Sequence, residues 1–258
     1  MDKLYFLSMV LIVALSSCGS FKNIPYYQDL DHTKPSKEIV NNYSPLLIQP
    51  ADILAINVSS RNPESSSIFN YNLDRVKGNT TAPTTDNPVI GYLVDEKGEI
   101  DLPIIGTLKV TGLTTSQLRA ELKQTMLMYY KDPVVNVRIV NFKVAVYGDV
   151  QRPNVYTLQN ERTTVTQALS LAGDLNITAM RNNVVLIREF NGERNYIPLD
   201  LTSKSLFASP YYYLKNNDEI YVQPDRTKYA TVDRGYRAAT LAFSGLSVLA
   251  IFFSIFYK

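Results

Sequence analysis

The chain has 258 residues, a formal net charge of +2, a single cysteine and a single histidine. That length suits two small domains rather than one large core, and the near-neutral balance gives no electrostatic case for nucleic acid. Eighteen tyrosines and ten phenylalanines occur without a tryptophan; tyrosine can stack on a sugar face, but it is also an ordinary strand residue, and the strand reading is preferred.

In chain order, an apolar run over residues 4–15 leads into Leu15-Ser16-Ser17-Cys18-Gly19. A short start, an apolar stretch and small residues at the break mark a secretory signal over 1–17. A lone cysteine in an exported chain needs an explanation, and lipidation of Cys18 after cleavage supplies one. Several acyl chains make a firm anchor. Residues 18–42 are mostly polar, with Pro25 and Pro35, and read as a tether to a first domain over 43–140. There, Pro50 to Asp52 form a turn before a strand, and 59–87, rich in Ser, Thr, Asn and Pro, reads as a long loop. Residues 89–94 and 100–105 read as strands around a turn at Gly98, the second interrupted by Pro103. A helix follows with Leu118, Leu122 and Met126 at helical spacing and Thr114 or Thr115 as cap. Asp132-Pro133 stops it before a strand over 134–140.

A second unit over 141–223 opens with a strand at 144–146 and a turn through Gly148 and Pro153 into another. A short helix over 164–172 closes at Gly173, the residue best suited to a left-handed cap. Strands over 184–189, 196–199 and 219–222 complete a small sheet, with Asn191-Gly192 as a hairpin turn. Helices among several short strands give an α+β class, and the second unit resembles a β-grasp arrangement.

The remaining 224–258 segment is a linker and an uncharged run over 238–257. Twenty residues at about 1.5 Å each make roughly 30 Å, the thickness of a hydrocarbon core, so a transmembrane helix is expected. On that helix Thr240, Ser244, Ser247 and Ser254 share one stripe with Arg237, Ile251 and Lys258, while Phe243, Leu246, Leu249, Phe252, Phe253 and Phe256 lie outside it. Small residues let helices approach closely, so the stripe suggests oligomerisation; helix packing and a water-filled lumen both fit.

Pro50-Ala51-Asp52-Ile53-Leu54, Gly98, Leu102-Pro103-Ile104-Ile105-Gly106, Gly112-Leu113-Thr114 and Asp132-Pro133-Val134-Val135 resemble a polysaccharide biosynthesis/export domain. Val146-Tyr147-Gly148-Asp149-Val150 with Pro153, Ala168-Leu169-Ser170-Leu171-Ala172-Gly173 and Asp218-Glu219-Ile220 resemble a following SLBB, or soluble-ligand-binding β-grasp, domain. The motif positions Asp52, Gly98, Pro103, Gly106, Gly148, Pro153, Gly173 and Asp218 are the turns this resemblance marks. Ala51, Asn154 and Asn217 stand where the family usually has glycine, so altered local turn shape is expected. The resemblance implies an outer-membrane lipoprotein with its soluble domains in the periplasm, assembled as a homo-oligomeric ring, commonly an octamer. Its C-terminal helices would form a barrel through which capsular or exopolysaccharide passes. An inner-membrane co-polymerase or tyrosine-kinase-like partner is implied by the same analogy.

No enzyme is expected. His32 lies in the tether, no Gly-rich phosphate loop follows a strand, and Asp95/Glu96 and Asp218/Glu219 are adjacent turn residues rather than a glycosidase-like dyad. No cofactor or metal site is expected either. The alternative is a membrane-anchored periplasmic scaffold lipoprotein that holds glycan or a partner and uses its C-terminal helix only as an anchor.

Overall fold

Alternating apolar residues build the first sheet. In β1 (Ile53–Ser59), Leu54, Ile56 and Val58 are fully buried, the period-two pattern of a strand with one covered face. This strand lies between β2 (Tyr92–Leu93) and β5 (Val134–Ile139), both antiparallel to it. The computed structural model describes residues 24–74, 91–190, 192–230 and 234–256. The signal over 1–17 and Cys18 lie outside the described residues, as does the part of the 59–87 segment beyond Asp74.

That segment is not simply a loop. Residues Pro63–Asp74 form α1, which starts on a proline, a residue that loses nothing at the first helical position. Phe69 is fully buried and its carbonyl accepts a 2.9 Å bond from the Tyr92 hydroxyl. The Asn70 amide bonds both polar groups of the Val58 backbone, at 2.9 and 2.7 Å. Two side chains therefore dock a helix whose polar composition hid it. The strand expected over 100–105 also ends early. β3 (Glu99–Leu102) and β4 (Gly106–Lys109) form a separate hairpin, because Pro103 has no N–H to continue the ladder and Ile104 turns the chain at φ 68°. Helix α2 (Thr115–Met126) buries Leu118, Leu122 and Met126 and packs on β5. Thr114 caps it reciprocally with Gln117.

The second sheet runs β7 (Asn154–Thr157), β6 (Lys143–Gly148), β10 (Glu219–Pro224), β8 (Ala179–Phe190), β9 (Glu193–Leu199). Only the central β6 and β10 are parallel; β6–β7 and β8–β9 are hairpins. Between the hairpins, α3 (Val165–Leu171) is capped by Thr164 and Gln167 as α2 is by its own pair. It closes with paired bonds from Asp174 to Leu169 and from Gly173 to Ser170, both 3.0 Å, around Gly173 at φ 78°, a Schellman ending. Hairpin, helix, hairpin and returning central strand follow in the order set out for the β-grasp expectation, and the whole is α+β.

The segment read as a tether lies along this second unit. Backbone N–H groups of Tyr27 and Gln28 bond the carbonyls of Leu201 and Thr202. Asp29 accepts from Ser203 Oγ and Lys204 N at 2.8 and 2.6 Å, and Asn42 Nδ2 donates to the carbonyls of Phe207 and Ser209. Tyr43 meets Tyr213 edge-on with centroids 5.1 Å apart.

At the far end, α4 (Thr227–Ala230) precedes α5 (Arg234–Phe256), a helix of 23 residues. Its described large side chains are all exposed, from Leu249 at 54% to Leu241 at 72%. Among the described residues no helix is long and apolar enough to cross a membrane, so the spanning helix expected over 238–257 finds no support there.

Candidate functional site

Two of the motif carboxylates, Asp52 and Asp218, converge on the seam between the units. Ala51 adopts φ 69° and Asn217 φ 64°, so both positions keep the left-handed turn a glycine would make; alanine does so at a conformational cost. Asn141 braces the Ala51 turn, donating to the Ala51 carbonyl at 2.9 Å and accepting from Ile53 N at 2.8 Å. The turn presents Asp52, whose Oδ2 accepts from Gln49 N at 2.8 Å and whose Oδ1 accepts from Asn216 Nδ2 at 2.6 Å. Asn216 reaches across from the second unit, so this bond ties the two together. Burial raises the Asp52 carboxyl above the ordinary range, against the pull of Gln49 and Asn216.

Two residues on, Asp218 is fully buried and receives Arg188 Nε at 2.8 Å and Nη2 at 2.6 Å, with Lys215 N at 2.7 Å. Burial pushes its carboxyl up while Arg188 and Lys215 hold it down, and burial wins. Lys215 Nζ donates to the Ser44 and Pro45 carbonyls and to Ser44 Oγ at 2.9, 2.7 and 3.2 Å. Burial, and then the nearby Arg188, lower its pKa. A further crossing bond joins Thr115 Oγ1 to Glu161 at 2.9 Å. Above this network a cavity of about 290 Å³ opens, lined by Gln49, Arg188, Phe190, Asn195, Tyr211 and Lys215 among others.

The other motif positions shape turns and do not gather. Gly98 at φ 78° closes the Asp95 turn and its carbonyl accepts from Val110 and Thr111. Pro103 and Gly106, the latter at φ 89°, form the β3–β4 tip. Gly148 sits at φ 99°, where a Cβ would lie 2.1 Å from the Val222 carbonyl oxygen, so only glycine lets β6 and β10 pair at that point. Pro153 leads into β7, and Asn154, unlike Ala51 and Asn217, has no positive φ.

Sequence reasoning missed Asp149 as more than part of a motif. It is fully buried at the end of β6 and takes bonds from Lys228 Nζ at 2.5 Å, Thr178 Oγ1 at 2.6 Å and Asn176 Nδ2 at 2.9 Å. Lys228 belongs to α4, and Asp225 N bonds the Thr178 carbonyl at 2.7 Å, so the chain leaving β10 is latched back onto its own domain. Burial alone would raise the Asp149 carboxyl; the three donors outweigh it and hold the group below the ordinary value. A depressed folded pKa adds stability that is complete above the unfolded value of about 3.9 and is lost as pH falls through the folded one. Asp149→Asn should therefore cost about 1–3 kcal/mol at neutral pH, the half-exposed Lys228 contributing less than a buried cation would. In urea titrations from pH 7 to pH 3 that difference should hold steady and then narrow below about pH 4; a difference independent of pH would contradict the latch.

On α5, Ser244 Oγ donates to the Leu241 carbonyl at 2.9 Å, and Ser247 Oγ to the Phe243 and Ser244 carbonyls at 3.1 and 2.8 Å. These hydroxyl donors are satisfied within the helix. Thr240 lies on the same stripe, whereas the Ser254 side chain lies outside the described ones. Among the described residues no group of three or more His, Cys, Asp and Glu side chains could hold a metal ion.

Two family models match in succession. Residues 40–140 match the polysaccharide biosynthesis/export protein model and residues 143–198 the SLBB domain model. The chain is 31% identical over 102 residues to a protein of Ralstonia solanacearum named EPS I polysaccharide export outer membrane protein EpsA, covering 38% of this chain. It is 34% identical over 98 residues to the protein of that name from Ralstonia nicotianae, covering 37%. The matched parts span 27% and 26% of those relatives, about a quarter of their length. Such export proteins are not an enzyme family. The junction of the two matches falls between β5 and β6, where the first sheet ends and the second begins, and the chain thus carries a polysaccharide biosynthesis/export domain followed by an SLBB domain.

Proposed function

We propose that this protein is the subunit of a homo-oligomeric ring, lipid-anchored through Cys18 at the outer membrane, that conducts capsular or exopolysaccharide from the periplasm to the cell surface. The observation that carries the reading is α5. It follows directly behind the export and SLBB domains, and each of its described large apolar side chains faces away from the rest of the chain. Such a helix must be covered by lipid, by copies of itself or by both, since apolar surface of this extent is unstable in water. The serine stripe gives the copies a face for close approach, and the outer-membrane export names of the relatives supply the cargo and the membrane. An inner-membrane co-polymerase or tyrosine-kinase-like protein is the partner this role calls for.

Native mass spectrometry of the detergent-extracted full chain, beside the chain truncated after Asp225, tests the ring. A discrete multiple near eight chains, weakened by truncation, is expected. A monomer in both cases would overturn the ring and leave an anchored scaffold.

A further inference from the structure

The seam cavity is lined by two cations, Arg188 and Lys215, and by one carboxylate, Glu189. Beneath it Asp218 takes Arg188, and Asp52 is held by the lining residue Asn216. Glu189 at the rim is already held by both Nε and Nη2 of Arg194. Lys215 has given its three hydrogens to Ser44 and Pro45, so it offers charge but no further bond. Arg188 spends Nε and Nη2 on Asp218 and the Tyr213 carbonyl, which leaves Nη1 as the donor available to the cavity.

Beside that cation lies an apolar face. The Tyr211 ring centroid is 5.6 Å from the Arg188 guanidinium carbon, and Tyr211 and Phe190 are 37% and 51% exposed. Two side-chain amides complete the lining: those of Gln49 and Asn195 make no hydrogen bond to the described residues. A cation, an aromatic face and idle amides in about 290 Å³, near the lower bound for small-ligand sites, call for an anionic group attached to a flat, hydroxyl-bearing ring.

We propose that the cavity binds an acidic sugar residue of a saccharide chain, its carboxylate on Arg188 Nη1, its ring over Tyr211 and its hydroxyls on Gln49 and Asn195. A bare anion would leave the ring face and the amides unused, and a neutral sugar would leave Arg188 Nη1 without a charged acceptor. The bond to Arg188 is charge-assisted and lies in a partly desolvated site, where such bonds are strongest. The site joins Gln49 of the export domain to Arg188, Asn195 and Tyr211 of the SLBB domain, so a bound sugar would also bridge the two. The identity of the saccharide as cargo rests on the export reading; the site itself does not.

The test is saturation-transfer NMR and calorimetry on the detergent-purified full chain with trigalacturonate, maltotriose and acetate. Trigalacturonate should bind at least about tenfold more tightly than maltotriose, as one charge-assisted bond allows, and should weaken with added salt. Acetate should bind far more weakly than the trisaccharide. The pair Gln49→Ala with Tyr211→Ala, which leaves the Arg188–Asp218 core untouched, should weaken trigalacturonate about tenfold or more. Equal binding of maltotriose would overturn the acidic assignment, and acetate binding as well as trigalacturonate would reduce the site to an anion site. Absence of trigalacturonate binding at millimolar concentration, or binding indifferent to the double substitution, would overturn the proposal outright. Because the readout needs no export, its failure would leave the ring untouched, and failure of the ring would leave this site standing.

Discussion

Asp218→Ala should cost about 3–5 kcal/mol of stability, because it strips a buried guanidinium of its counter-charge. The side-chain exposures are 0% for Asp218 and 13% for Arg188, so water can do little to replace the lost carboxylate. Three bonds vanish together, two from Arg188 and one from Lys215 N, and the Lys215–Asn216 turn that carries the Asp52 crossing bond loses its brace. Against a total of about 5–15 kcal/mol for a typical domain, the loss is severe. At about 2–4 °C per kcal/mol for a chain of this size, the melting temperature should fall by roughly 6–20 °C. Asp218→Leu combined with Arg188→Met should recover most of this, since replacing a buried pair by apolar groups is often neutral. A loss under about 1 kcal/mol for Asp218→Ala would mean that Arg188 finds water or another partner.

Ser244→Leu with Ser247→Leu should abolish surface polysaccharide while leaving the protein in the membrane fraction. Among the described residues each serine hydroxyl bonds only to its own helix, so removing it costs little and the helix itself should persist. What changes is volume. Two leucines on the stripe hold neighbouring backbones apart where small residues let them approach, and they make the helix more apolar, which favours membrane retention. Leu249→Ile, off the stripe, is the control expected to export normally. The measurements are surface polysaccharide by immunolabelling and assembly by native mass spectrometry. Normal export in the double variant would count against a ring sealed by α5.

The sequence made the strands and capped helices legible because their signals are local. The alternation around Leu54, Ile56 and Val58, the Thr-x-x-Gln boxes at Thr114 and Thr164 and the glycine ending at Gly173 each lie within a few residues. Helix α1 was hidden because its stability comes from Phe69 and Asn70 docking on β1, not from amphipathic periodicity. The early end of β3 and its partner β4 were missed for a related reason: the γ-like turn at Ile104 places φ 68° on a β-branched residue, which propensity argues against. At the seam, Asp52 and Asp218 stood out as motif positions, but Asn216, Lys215 and Arg188 lie 164, 163 and 136 positions from Asp52, too far for any local pattern to join. The Asp149 latch was invisible for the same reason, its lysine lying 79 positions away.

The strap over residues 26–45 changes how force would travel through the molecule. Its bonds to Leu201, Thr202, Lys204, Phe207 and Ser209 fasten the N-terminal segment to the SLBB domain, and the Lys228–Asp149 pair fastens the start of the C-terminal segment to that same domain. Tension between the two ends would enter and leave through the SLBB sheet, whose parallel β6 and β10 sit at its centre. The export domain hangs outside this load path, so it is free to tilt about the seam while the two terminal segments stay taut.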